Sequence, residues 1–149
     1  MNYILSLLLI FSIGCNSQVG KGVSEKIDFE EGNHFRYNLT SEKYLLLDTQ
    51  QKMNAVYKII HAQTTGNRRA PIPTVAQDES YFIFKPVLKN SNDIEIKEIL
   101  LSDDVVYVEV KEFDNPEVSQ SSRISPNVLV RILKKVNPKK IIINYQKNN

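Results

Sequence analysis

The residue with the most distinctive chemistry is Cys15, the single cysteine of the chain. It follows Ile4-Leu5-Ser6-Leu7-Leu8-Leu9-Ile10-Phe11-Ser12-Ile13-Gly14, a run without a charge, and precedes the polar Asn16-Ser17-Gln18. A small residue before a thiol and polar residues after it suit an enzyme that joins diacylglycerol to the sulfur and then cuts the chain on its amino side. The apolar run is about ten residues, half of the roughly 20 that span a bilayer as a helix, which fits a signal peptide better than a permanent membrane span. A lone cysteine also cannot build an intrachain disulfide framework. The alternative is an ordinary cysteine inside a secretory signal peptide, discarded with it. The expectation is a signal over residues 1–14 and a lipid on Cys15. Each buried methylene contributes about 0.8 kcal/mol, and two or more acyl chains hold a protein durably on a membrane.

Other reactive side chains are sparse. His34 and His61 are the two histidines, and with Cys15 acylated a Cys/His zinc site cannot be assembled. Asp103-Asp104 fits a turn between strands, and no EF-hand spacing surrounds it. Nucleophilic catalysis needs a hydroxyl or thiol beside an oriented base. His61 falls near the end of a predicted helix, where the helix dipole favours it, and no Gly-x-Ser-x-Gly elbow is present. Five glycines in the whole chain leave no phosphate-cradling loop. No catalytic residue, metal or cofactor is expected. Arg68-Arg69 stands apart: adjacent arginines in a loop stiffened by Pro71-Ile72-Pro73 can clamp a partner's carboxylate or phosphate, or simply be solvated. Arg123 joins them if its loop emerges at the same end of the fold. Lys134, Lys135, Lys139, Lys140 and Lys147 crowd the C-terminal end, either blunting an edge strand or facing anionic headgroups.

These residues need a scaffold. Residues 1–14 carry no charge, so the formal net charge of +2 stays with the rest of the chain. That small excess does not predict nucleic-acid binding, which calls for a clustered basic face. About 135 residues suffice for one domain with a real core. Residues 15–34, with Val19, Val23, Ile27 and Phe29 widely spaced among polar residues, read as a lipidated tether. Residues 35–149 read as the single globular domain.

Within that domain, residues 36–40 suggest a first short strand and residues 44–47 a second strand or a helix lead-in. Asp48-Thr49-Gln50-Gln51 looks like a helix start with a capping box. Met53, Val56, Tyr57 and Ile60 then follow at helical spacing, with a stop at Gly66-Asn67. Tyr81-Phe82-Ile83-Phe84 is a β-prone run ended by Pro86. Ile94 and Ile96 alternate with charged residues, as do Val106, Val108 and Val110, and Asp103-Asp104 between them implies a hairpin. A long loop over residues 113–127 precedes two last strands, residues 128–133 and 141–145, turned at Asn137-Pro138. The expected fold class is α+β: one helix on a mainly antiparallel sheet of about five to six strands.

Several of these pieces resemble the small C-terminal domain named after the protease complex subunit PrcB, found in many bacterial envelope proteins. The resemblance covers roughly residues 44–145. It rests on the Pro71-Ile72-Pro73 loop leading to Tyr81-Phe82-Ile83-Phe84, on the strands Ile94-Glu95-Ile96 and Val106-Tyr107-Val108-Glu109-Val110, and on Pro126-Asn127-Val128-Leu129-Val130, similar to a family "P-x-x-L-V" strand. Asn90-Ser91-Asn92-Asp93 stands where family members usually carry Gly-Gly-Tyr. The resemblance implies no catalytic residue. It implies a non-catalytic accessory or binding module, for instance a subunit or stabiliser of an envelope protease; the partner contacts expected from the residues themselves are Arg68, Arg69 and Arg123. With the lipid on Cys15, the expected address is the periplasmic face of the outer membrane. The competing expectation is a small-ligand or lipid binder with a pocket between helix and sheet, lined by Phe82, Phe84 and Ile60.

Overall fold

The computed structural model describes residues 24–65, 69–89, 91–118 and 124–146. Cys15 lies outside the described residues, as do Arg68, Arg123 and Lys147. Eight strands and one helix follow one another as β1 (Glu25–Lys26), β2 (Phe29–Phe35), β3 (Tyr44–Leu47), α1 (Gln50–Gln63), β4 (Ser80–Phe84), β5 (Asp93–Ser102), β6 (Val105–Phe113), β7 (Asn127–Ile132) and β8 (Lys140–Tyr145). They form two four-stranded sheets, ordered β1-β5-β6-β8 and β2-β7-β4-β3. Every pairing is antiparallel except that of β6 with β8.

Side-chain alternation explains the layers. In β4, Phe82 and Phe84 point to one face and Tyr81 and Ile83 to the other, because successive strand residues alternate. Phe82 and Phe84 join Val128, Val130 and Ile132 of β7 against Ile94, Ile96, Ile99, Val106, Val108 and Val110 of the other sheet. Tyr81, Ile83 and Leu129 instead meet Met53, Val56, Tyr57 and Ile60 of α1. The second sheet is thus buried on both faces, which is why β4 and β7 read as nearly continuous apolar runs. The fold is α+β, a helix laid on one side of a two-sheet sandwich. Among the described residues no helix is long and apolar enough to cross a membrane.

The helix start differs in detail from the expected capping box. Thr49 is the N-cap, its hydroxyl accepting from Lys52 N at 3.3 Å. This puts Lys52 at the third helical position, where it pairs with Asp48 at 2.8 Å. At the far end Thr64 closes the helix, its amide and hydroxyl both donating to Ile60 O at 3.1 and 2.8 Å. Gly66 and Asn67 lie outside the described residues.

Five expectations are corrected. The described residues form eight strands rather than five or six, in two sheets rather than one. Glu25–Lys26 and Phe29–Phe35, all but the last residue inside the stretch read as tether, are strands, because β1 and β2 gain their place through backbone pairing with β5 and β7 and leave most side chains in water. The strand expected over residues 36–40 is not formed; β2 ends at Phe35 and the chain bends. Finally, β7 and β8 do not make a hairpin: the chain crosses between sheets after Ile132, and β8 pairs parallel to β6.

Two bulges and one turn set local geometry. Register shifts occur between Glu31 and His34 in β2 and between Ile96 and Glu98 in β5. At the first, a Cβ on Gly32 would stand 2.8 Å from Leu129 O, so only glycine lets the two backbones approach this closely. In the two-residue β5–β6 turn Asp103 has φ of 51°, a left-handed conformation that aspartate tolerates better than most residues.

Candidate functional site

After α1 the chain runs back along the helix and is fastened to it twice. His61 Nε2 lies 2.8 Å from Ala70 O and donates to that carbonyl. Its ring also meets Tyr57 edge-on, centroids 5.8 Å apart. Near the helix start, Gln50 Nε2 donates to Pro73 O at 3.1 Å, while Gln50 Oε1 accepts from Val75 N at 2.9 Å. Pro71 and Pro73 keep the strap extended between these fastenings. The sequence thus turns a polar loop into a fixed rail beside the helix.

Between rail and helix lies a surface groove of about 360 Å³, lined by Asn54, Lys58, His61 and Ala62 from α1 and by Arg69 and Ile72 from the rail. Asn54, Lys58, His61 and Ala62 share one face because each lies three or four positions from another of the set. Lys58 and Arg69 have no carboxylate partner among the described residues. Ile72, in the lining, is 41% exposed. Cations without carboxylate partners beside an exposed isoleucine suit an acidic and partly apolar protein surface. A guanidinium held on a fixed rail can grip a carboxylate through two parallel bonds.

Two other polar clusters are already satisfied internally. The β2 bulge aims Glu31 and His34 across to β5 of the other sheet. His34 Nδ1 lies 2.6 Å from Asp93 Oδ1 and its Nε2 lies 2.6 Å from Glu31 Oε1. Arg36 donates to Asp93 Oδ2 at 2.7 Å and Asn115 to the same oxygen at 2.9 Å. Glu31 also accepts from Ile96 N, the amide beside the β5 bulge, at 3.0 Å. Burial opposes the charge on His34, but hydrogen bonds and charge from Glu31 and Asp93 outweigh it and raise its pKa. Burial likewise opposes ionisation of Asp93, and the bonds from Asn115, His34 and Ile94 N overcome it, lowering its pKa. With both ring nitrogens occupied by carboxylates, His34 clasps the two sheets.

The second cluster is centred on Arg131 in β7. It bonds Glu79 through Nε and Nη2, both at 2.6 Å, and Glu30 through Nη1 at 2.9 Å. Glu79 is 5% exposed and also accepts from Tyr81 Oη at 3.1 Å. Burial and that carboxylate push the Tyr81 phenol up to about 12. Arg131 borders a groove of about 280 Å³ with Tyr57 and Tyr81, but its charge is met from both sides.

Of the arginines singled out in the sequence, Arg69 therefore lines the cationic groove, whereas Arg68 and Arg123 lie outside the described residues. Lys58 and Ile72 were missed as site residues. Their signal was present: Lys58 stands three residues before His61 on the helix, and Ile72 lies between the prolines. Asp103-Asp104 forms the expected hairpin turn, with Asp104 paired to Lys139 at 2.6 Å. Phe82 and Phe84 face the opposite side of their sheet from Ile60, so these three line no common cavity. Among the described residues no group of three or more His, Cys, Asp or Glu is placed to hold a metal ion. Compared with models of protein families, with curated proteins and with solved structures, the chain finds no match.

Proposed function

We propose that this chain is a lipid-anchored accessory module of the bacterial envelope, non-catalytic, tethered by Cys15 and engaging one protein partner. An envelope protease is the concrete candidate, and the periplasmic face of the outer membrane the proposed address. The anchor rests on the Gly14-Cys15-Asn16 pattern. The family part of the reading, a PrcB-like domain, rests on the sequence resemblance over residues 44–145. The partner contact rests on one observation above all: the strap bearing Arg69 is fastened to α1 at both ends, beside Lys58 and Ile72, with its cations unmatched among the described residues. The same fastenings also let Ala70 and Val75 of the strap pack on the helix-side core. A recognition surface gains preorganisation, which lowers the entropic cost of binding.

Pull-down from crosslinked native membranes tests this, comparing wild type with Cys15→Ala and with Arg68→Ala/Arg69→Ala. The expected result is one recurring envelope protein, lost with the double arginine variant, and release from the membrane with Cys15→Ala. Normal anchoring with no specific partner would end the accessory-module reading.

A further inference from the structure

The sandwich treats its two open sides differently. On one side the edge strands are β1, with Glu25 and Lys26, and β2, with Glu30, Glu31 and a bulge. Charges and bulges of this kind deter pairing with other chains. On the other side the edges are β3 and β8. From Ile141 to Tyr145, β8 reads Ile-Ile-Ile-Asn-Tyr, with no charge, proline, glycine or bulge. Its inner side pairs with β6, and no strand among the described residues pairs with its outer side. An edge of this composition is a template for another strand.

A groove of about 330 Å³ lies where these two edges meet, with Tyr44, Val87, Ile142 and Ile143 among its apolar lining. Val87 is 69% exposed, and its amide donates to Tyr145 Oη at 2.6 Å, fixing the far end of the groove. Lys43, Lys85 and Lys140 also line it. Elsewhere Lys26, Lys52, Lys97, Lys134 and Lys139 each have a carboxylate partner within 3.1 Å, while Lys58, Lys89, Lys111 and Lys135 have none among the described residues. The groove lysines have none among the described residues; Lys85 reaches only the amide oxygen of Asn38, at 3.3 Å.

We infer that the β8 edge and its lysine-rimmed groove take an extended acidic segment of a partner protein by strand addition. The segment's backbone bonds the outer side of β8, its apolar side chains enter the groove, and its carboxylates meet Lys43, Lys85 and Lys140. An acyl chain fits less well, since it offers nothing to the free backbone groups of β8 and would leave one flank in water. A second copy of this chain fits less well too, because it would bring like charges together. The inference goes beyond the proposed function: it concerns another surface and requires neither the lipid nor Arg69.

The full chain in neutral detergent is titrated with a fluorescein-labelled peptide alternating valine and glutamate, with its valine–lysine counterpart, and with palmitate as competitor. The variant is Lys43→Glu/Lys85→Glu/Lys140→Glu. Wild type is expected to bind the glutamate peptide, more weakly as salt rises. The variant is expected to lose that binding by about tenfold or more, a change of about 1.4 kcal/mol, and to acquire binding to the lysine peptide. This gain cannot arise from misfolding. Equal binding of the glutamate peptide by both proteins, or binding by neither, overturns the inference. So does displacement of the peptide by palmitate, or self-association of wild type that the variant abolishes.

Discussion

His34 makes the clearest residue-scale statement, because one imidazole stands between Glu31 and Asp93 and ties the two sheets together. Its folded pKa lies above the ordinary value of about 6.5, so its contribution to stability is complete below that value and fades as pH rises through the folded one. Asp93 behaves in the opposite sense. Its folded pKa is depressed, so its contribution is complete above about 3.9 and fades as pH falls through the folded value. The urea midpoint should therefore be highest in mildly acidic buffer and decline on both sides, and His34→Gln should flatten the alkaline decline. Asp93→Ala leaves Arg36 and His34 facing an empty site and should cost about 3 kcal/mol or more, read from chemical denaturation. Tyr81 offers a separate probe. Ultraviolet titration of the phenol should show one tyrosine near 12, and Glu79→Gln should bring it down by removing the carboxylate that holds the proton.

At the scale of elements, β2 is where sequence and structure part most clearly. Most of it is exposed, with only Phe35 buried, and its seven residues include two glutamates, a glycine and an asparagine. Nothing in that composition signals a strand, since what holds it is a ladder to β7, a partner close to a hundred residues away. By contrast α1 and β6 were legible because each buries one face by its own period, 3.6 in the helix and 2 in the strand. The β5–β6 hairpin was legible too, its strands being sequence neighbours joined by two aspartates. The close approach of β2 to β7 supports a specific prediction. Gly32→Ala puts a methyl against Leu129 O, where backbone must move, and should destabilise by roughly 1–3 kcal/mol, seen as a lower urea midpoint.

For the whole molecule, the division into two sheets could not be read from local pattern. The apolar runs of β7 and β8 look alike, yet one lies inside the helix-covered sheet and the other at the edge of its neighbour. Burial of β4 and β7 on both faces follows from their position between helix and sheet, which only the assembled fold defines. The candidate site was legible in part: Arg69 was singled out from its place in a proline-stiffened loop. Lys58, Ile72 and the fastenings by Gln50 and His61 emerged only once the strap was seen lying along α1. That arrangement makes a rigid surface from a segment whose composition suggests a loose one.

The proposed function requires that a partner sit on this strap. A photo-crosslinking amino acid placed at Ile72 in the full chain, illuminated in intact cells, tests it directly, with the same probe at Lys111 on the exposed face of β6 as control. We expect one dominant envelope protein joined at position 72, absent from the control and lost when Arg68→Ala/Arg69→Ala is added. No adduct at position 72, or the same adducts from both positions, would contradict the account.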